Sequence, residues 1–457
     1  MKKLIIKFSI SLFFLIKAGY AEEFIIDDSN VVLCEGIAKR YHDYEEKHKE
    51  LINSQQPRSD LIYKINYFSY DERLKYFSPN DSILNKKNGV TSLVVKEPLS
   101  KIALTSLDYF FPDIKEITFE THTINDNFIT SIPKLPNITK LNISSNGIKT
   151  VGAKFIAENF CSLTELNVSS NRLGNDDVRY IVENLHCLTK LDISSNNIEA
   201  EEIYLIAEKL SNLTELNISM NKIGDEGARF IAENLHHLTK LDISENNIGD
   251  AGAEFIAKNL SNLTELNISM NKIGDEGAKF IAENLHHLTE LDVSRNNIGD
   301  EGVTFIAENL SNLTKLNVST NKIGQDGAKI IAKNLVRLTE IYISQNNIGD
   351  EGAGFIAEKL FNLTKLYIAF NQITQEGAKV IAKNLSNLTE LDISYNLISD
   401  EGAKAIMKTL FKLIGLNVER NGIGDEQPIE IMEHFSNLAW LGVGGPSVTK
   451  TWDELNM

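Results

Sequence analysis

Cysteine and proline are scarce, with three and eight respectively in 457 residues. Three thiols cannot staple a disulfide scaffold, and eight prolines beside 27 glycines exclude collagen-like and low-complexity chains. No apolar run reaches the roughly 20 residues that span a bilayer. Basic side chains are outnumbered, 46 against 63 acidic, for a formal charge of −17. A surface of that sign repels phosphate backbones and anionic lipid headgroups. Nucleic acid and membrane surfaces are therefore poor partners by composition, and basic proteins are reasonable ones. The catalytic fingerprints are missing as well: no P-loop, no Rossmann glycine pattern and no GxSxG elbow. An apolar content of 42% with 24% charged residues is that of an ordinary folded chain.

The first 21 residues read as an address. Lys2 and Lys3 open a basic region, Leu4 to Ile16 is mostly apolar, and Ala18-Gly19-Tyr20-Ala21 places small residues three and one before a cut after Ala21. That is the layout of a secretory signal peptide, and its short, Lys-rich form looks bacterial. The expectation is export to a periplasm or beyond, with no membrane insertion after cleavage. Removing this segment, with Lys2, Lys3, Lys7 and Lys17 and no acid, takes the formal charge from −17 to −21.

An internal repeat governs the rest. LTELNISMNKIGDEGARFIAENLHH begins at Leu213 and starts again at Leu238, and the frame recurs every 25 residues from Ile138 to Leu438, thirteen times. Degenerate copies at Val90 and Ile114 bring the count to 15 coils. A period of this size indicates a solenoid, array or propeller. The first half of each unit, LxxLxIxxN, alternates apolar and polar residues at strand period. In the second half Ala228, Ile231, Ala232 and Leu235 fall at helical spacing, behind Asp225 and Glu226, whose charge suits a helix amino end. Gly224 and Gly227 are expected to ease the turn between strand and helix. Leu213, Leu216, Ile218, Ile223, Ile231 and Leu235 should point inward. The chain divides into the signal at 1–21, a mainly helical cap at 22–88, the solenoid at 89–445 and a tail at 446–457. Within the cap, Val31 to about Leu51 reads as an amphipathic helix, and no zinc-ligand spacing occurs.

These repeats resemble the leucine-rich repeat, in particular the helix-bearing kind of ribonuclease inhibitor, over roughly residues 90 to 445. The coils depart from that relative in using 25 residues rather than 28 or 29, and in having Asn, never Cys, at the ninth position. The resemblance implies an α/β solenoid, a curved horseshoe or arc with a parallel sheet on the concave face and short helices on the convex face. It also implies that Asn146, Asn171, Asn196, Asn221, Asn246, Asn271, Asn296, Asn321, Asn346, Asn371, Asn396 and Asn421 form a buried ladder satisfying backbone groups.

No residue set suggests catalysis, a cofactor or a metal. His236-His237 and His286-His287 recur two coils apart, but residues 213–262 and 263–312 differ at only eight of 50 positions, so duplication explains the spacing. Metal ligands must converge within about 2 Å of one ion, which pairs two coils apart do not do. The repeated serines and the NxS/T triplets fall out of the repeat itself. Cys161 and Cys187 lie one position apart in neighbouring coils and read as small, half-buried thiols, with a disulfide left open. The third position runs Lys140, Glu165, Lys190, Glu215, Lys240, Glu265, Glu290, Lys315, Glu340, Lys365, Glu390, a row that can pair with itself.

By resemblance, the expected function is non-enzymatic protein recognition through the concave sheet, in an exported factor, with a host-directed role as one option. An inhibitor or regulator of an enzyme, nuclease-inhibitor-like or GTPase-regulator-like, is the alternative, with activity in the N-terminal segment as a third. One stretch breaks the polar pattern. Tyr342 and Tyr367 replace Asn or Asp at the fifth position, and Phe370 and Tyr395 occupy the eighth. These four aromatics are expected to converge on a single partner-binding patch, flanked by Gln345, Lys365 and Glu390. The competing reading is that the tyrosines merely stack and stabilise their strands.

Overall fold

A computed structural model describes residues 23–26, 91–95, 107–110, 112–120, 122–424 and 438–442. The signal segment, the helix expected from Val31 and the tail from 446 lie outside them. Two compact units divide at Ile198 and Glu199. In the first, six strands pair in chain order and in parallel: Glu23–Ile26, Ser92–Val95, Glu116–Phe119, Lys140–Asn142, Glu165–Asn167 and Lys190–Asp192. The strand Glu23–Ile26 lies in the segment expected to be mainly helical. In the second, ten strands from Glu215–Asn217 to Trp440–Gly442 pair in the same manner. Helices of ten or eleven residues, such as Asp275–Asn284 and Gly349–Lys359, separate them. Both units are right for a coil whose strand half and helix half each bury one apolar stripe.

In each three-residue strand only the middle side chain faces inward, as Leu216 does between Glu215 and Asn217. Leu213, Ile218, Ile231 and Leu235 complete the core of that coil, each wholly buried. Glycine and alanine, at Gly277 and Ala278 for example, line the inner helix face beside Ile281.

Two polar ladders tie coil to coil. The first is asparagine. Asn396 Oδ1 accepts from the backbone N–H of Asn371 and Ile373, both at 2.9 Å. Its Nδ2 donates to the carbonyls of Ile368, Ile393 and Ser394 at 3.0–3.1 Å. One amide thus satisfies two orphan donors of the preceding coil and three carbonyls, which neither Asp nor Leu can do. The side chain turns inward because the residue before it is left-handed. The eighth position has φ between 52° and 56° in all twelve coils, from Ser145 to Arg420. Burial of the ladder is uneven, which corrects the expectation of a uniformly buried row. Asn271, Asn321 and Asn346 are half-buried. Asparagines followed by a second residue of positive φ, at Asn146, Asn171, Asn196, Asn246, Asn371 and Asn421, are 3% exposed or less.

The second ladder corrects the capping expectation. Asp225 does not cap its own helix; its Oδ1 accepts from Gly249 N–H at 2.7 Å and Gly252 N–H at 3.1 Å, at the start of the next helix. Asp250, Asp275, Asp300 and Asp350 repeat this one coil further on. Each carboxylate sits where a helix leaves N–H groups unpaired and carries partial positive charge. The helical glycine is held by two close approaches: a Cβ on Gly252 would come within 2.5 Å of Ile248 Cγ2 and 2.6 Å of Asp225 Oδ1. The isoleucine contact persists at Gly227, Gly352 and Gly402, where no Asp precedes.

Not every coil has Asp at this place. After Thr150 and Asn175, Gly174 and Glu199 stay extended and donate to Asp177 and Glu202 of their own helices. After three others the backbone changes. Ala200, Gln325 and Gln375 occupy it before Gly224, Gly349 and Ser399, and these three residues have φ of 59°, 57° and 56°. Their N–H groups turn to the carbonyls of Asn246, Asn371 and Asn421 instead, and their helices run to eleven residues. With the carboxylate present, Gly249, Gly274, Gly299 and Gly324 are extended, with φ near −100°. Only the turn after Ala200, Gln325 and Gln375 needs glycine's left-handed freedom.

Two stability predictions follow from the ladders. Asn396→Ala should cost about 1–3 kcal/mol through stranded backbone groups. Lys315→Ala removes an exposed ion pair with Glu290 at 3.4 Å and should cost about 1 kcal/mol or less. Equal shifts in a denaturant titration would contradict the ladder's role. At the left-handed turn, Gly349→Ala should destabilise by about 1–2 kcal/mol although an added Cβ meets open space. Ser399→Gly should stabilise by about 0.5–1 kcal/mol, since relief of the left-handed strain exceeds glycine's entropy loss. Melting curves that move in the same direction for both would refute the conformational account.

Candidate functional site

The outward face of the sheet carries the third and fifth positions of each coil. Over most of the second unit it is self-satisfied. Lys240 meets Glu265 at 2.6 Å and Lys315 meets Glu290 at 3.4 Å. At the fifth position Asn267 and Asn317 donate to Asp242 and Asp292 at 2.9 and 2.7 Å. The seventh-position serine then donates to the fifth residue, as Ser294 Oγ does to Asp292 Oδ1 at 2.6 Å. A surface paired this closely offers a partner little unsatisfied hydrogen-bonding capacity.

The pattern breaks at strands Glu340–Tyr342 and Lys365–Tyr367, and the break is compensated. Tyr342 and Tyr367 lie opposite each other in register and stack with ring centres 4.6 Å apart at 20°. Neither can accept from a seventh-position serine. Ser344 Oγ accepts instead from the Ala369 N–H at 3.1 Å, and the next coil has Ala369 where serine would stand. The phenols donate sideways: Tyr342 to Glu340 at 3.1 Å, Tyr367 to Glu390 at 2.5 Å. Lys365 Nζ sits between those carboxylates, 3.6 Å from Glu340 and 3.3 Å from Glu390. Burial, then the Glu340 charge and hydrogen bond, push the Tyr342 phenol up to about 12. Burial, with the hydrogen bond to Glu390, raises Tyr367 as well. Burial pulls the Lys365 ammonium down, but the two carboxylates more than offset this and its pKa is raised. The set is a closed network, half-buried and rigid.

Phe370 and Tyr395 differ. Their rings stack at 4.0 Å and 14°, and they remain 42% and 43% exposed. Each occupies the left-handed eighth position, with φ of 54° and 52°. Nothing in that conformation asks for an aromatic residue; three other coils use serine there. Gln345, one coil earlier in the same row, is exposed and accepts from Thr320 Oγ1 at 2.7 Å. The structure therefore joins the seven expected residues as two stacks of unequal character. One is a hydrogen-bonded floor that includes Tyr342, Lys365, Tyr367 and Glu390. The other is an exposed pair with Gln345 beside it. Glu340 belongs to the floor and was legible as the carboxylate of the third-position row next to Lys365.

Other candidates resolve more simply. Cys161 and Cys187 are free and exposed, not half-buried, because the twenty-fourth and twenty-fifth positions form the loop tip before each strand. Among the described residues no group of three or more His, Cys, Asp or Glu could hold a metal ion, and no helix is long and apolar enough to cross a membrane.

Solved structures that resemble the chain include an internalin from Listeria monocytogenes strain 4b F2365, at 22% identity over 71% of this chain and 89% of that one, TM-score 0.46. A TLR13–ssRNA13 complex matches at 18% identity over 79% of this chain, TM-score 0.48, and the match spans only 57% of that protein. No curated protein matches. The model of the Leucine Rich repeat matches eleven segments between residues 134 and 407. They cover more than half of the sequence, and the chain belongs to the leucine-rich repeat family.

Proposed function

We propose that this chain is an exported, non-enzymatic binding protein that recognises a protein partner through the outward face of its repeat sheet, anchored on Phe370 and Tyr395. The observation that carries the reading is the stacked, exposed aromatic pair, in a column that elsewhere holds polar residues and the two methionines Met220 and Met270. Aromatic anchors dominate interface energetics because they bury large areas with few rotors. The two exposed rings stack on each other at 4.0 Å, which restrains both before a partner arrives. Pre-ordered rings forfeit little entropy on binding. Proteins built from these repeats mediate protein–protein interaction, which fits a sheet without any locally distinct catalytic assembly. Export is supported by the basic start, the apolar run from Leu4 to Ile16 and the small residues before Glu22.

The expected outcome of Phe370→Ser with Tyr395→Ser is loss of partner capture from the native source, with a melting curve close to the parent. Serine is already the residue of this row at Ser145, Ser170 and Ser195. Tyr367→Ala should instead lower the melting temperature, because it opens the stack with Tyr342 and strands Glu390. Capture that survives the double serine variant would move the contact elsewhere. For export, N-terminal sequencing of the protein from its native source should begin at Glu22; an intact Met1 on a cytosolic protein would overturn that part.

A further inference from the structure

A second surface departs from the repeat in the same coils, at the loop tips between helix and strand. At the twenty-fourth position the earlier coils carry Cys161, His186, Ser211, His236, Ser261, His286 and Ser311. The next four have Val336, Phe361, Ser386 and Phe411. Val336, Phe361 and Phe411 are 50%, 60% and 69% exposed. Charge reverses over the same stretch. The twenty-first position is Glu in six of the seven coils from Glu158 to Glu308, Lys258 being the exception, and Lys in three of the following four, at Lys333, Lys383 and Lys408. Arg337, Lys359 and Lys412 add to them, against the single acid Glu358. All six cations are exposed, and among the described residues none forms an ion pair. Arg337 and Lys412 instead donate to Asn312 and Asn387, at 2.9 and 2.8 Å. By contrast Lys258 is paired with Glu254.

A lysine near a helix carboxyl end suits the helix dipole, but five of the seven earlier coils dispense with it, Lys209 and Lys258 being the exceptions, and Arg337 and Lys412 lie beyond their helices. Nor does the core demand a phenylalanine at a tip where serine serves elsewhere. Two unrelated changes, polar to apolar and acidic to basic, thus coincide on one edge. The strands that follow these tips pair in chain order, so the tips stand in a line at roughly the strand spacing of about 4.8 Å. Aligned rings among unpaired cations fit a flat anionic surface better than a pocket.

We propose that this edge docks onto a lipid surface bearing anionic headgroups, with Phe361 and Phe411 entering the interface and the six cations facing the headgroups. The net charge of −17 does not oppose this, because beyond about 8 Å exposed charges are screened at physiological salt. Basic side chains near such a surface and shallow apolar insertion act together. The surface is separate from the sheet face and does not depend on the proposed protein partner.

The test uses the full chain carrying Phe361→Trp and vesicles of phosphatidylcholine with or without phosphatidylglycerol. Trp emission should shift to the blue with the anionic vesicles only, and the shift should fade as salt is added. Adding Lys333→Glu, Lys383→Glu and Lys408→Glu, the residue that earlier coils carry, should weaken the vesicle affinity by about tenfold or more. Lys258→Glu, the same exchange away from the edge, should leave the affinity unchanged. The proposal is overturned by an emission that ignores anionic vesicles, by a shift equal on neutral vesicles, or by one that survives the triple exchange. It is equally overturned if Lys258→Glu abolishes the shift. Retention on heparin without a vesicle-dependent shift would assign the edge to a soluble polyanion and reject the lipid.

Discussion

Everything in this fold hangs on stacking coils whose backbones cannot satisfy themselves. A three-residue strand bonds its neighbours for only part of its circuit, and the descent from strand to helix leaves donors and acceptors buried without partners. The asparagine ladder answers that need because a single amide offers both an acceptor with two lone pairs and two donors. Its geometry has a consequence for the surface. To turn the asparagine inward, the residue before it must be left-handed, and its own side chain is thrown outward. The interaction that closes the core therefore also creates an exposed column, at which Met220, Arg295, Phe370 and Tyr395 are all accommodated.

The aspartate ladder shows the same dependence between neighbours. Asp275 acts on Gly299 and Gly302, one coil on, so a residue's effect is read in the next unit and not in its own. This is why substitution of Asp by Gln325 or Gln375 is accompanied by a left-handed Gly349 or Ser399. Stability in such a chain is a sum over coil interfaces, and a change in one position is compensated across an interface. Tyr367 with Ala369 is the same principle on the sheet face: once the fifth residue loses its oxygen, the seventh no longer needs a hydroxyl.

Periodicity made the parallel strands from Ser92 onward, the inward leucines and the ladder asparagines legible from the amino-acid sequence, because each is a repeated choice and repetition averages away local noise. Direction was harder. Asp225 looked like a cap for the helix it opens, since a single repeat cannot reveal that the nearest unpaired N–H groups belong to the next one. Of the aromatic residues, spacing located all four on the sheet face. Only the packing separates the half-buried, hydrogen-bonded Tyr342 and Tyr367 from the exposed Phe370 and Tyr395, because burial depends on side-chain partners that a column of letters does not specify. Net charge does not resolve local fields. A total of −17 conceals an edge where six cations face one acid, and recognition is governed by local fields.

Where variation falls in a repeat of this kind separates folding from recognition. Residues 213–262 and 263–312 are nearly copies, and what differs between them is mostly paired on the surface or exchanged among small apolar side chains. The four coils from Leu313 keep the same leucines, isoleucines and ladder asparagines, yet alter the fifth, eighth, twenty-first and twenty-fourth positions. None of those changes serves the core, which is already complete without them. Exposed aromatic residues add a solubility burden to a surface. Drift relaxes a pattern at scattered positions, whereas here the departures gather in consecutive coils and on two separate faces. Such concentration supports the proposal that contacts with partners are made by the coils between Leu313 and Leu413.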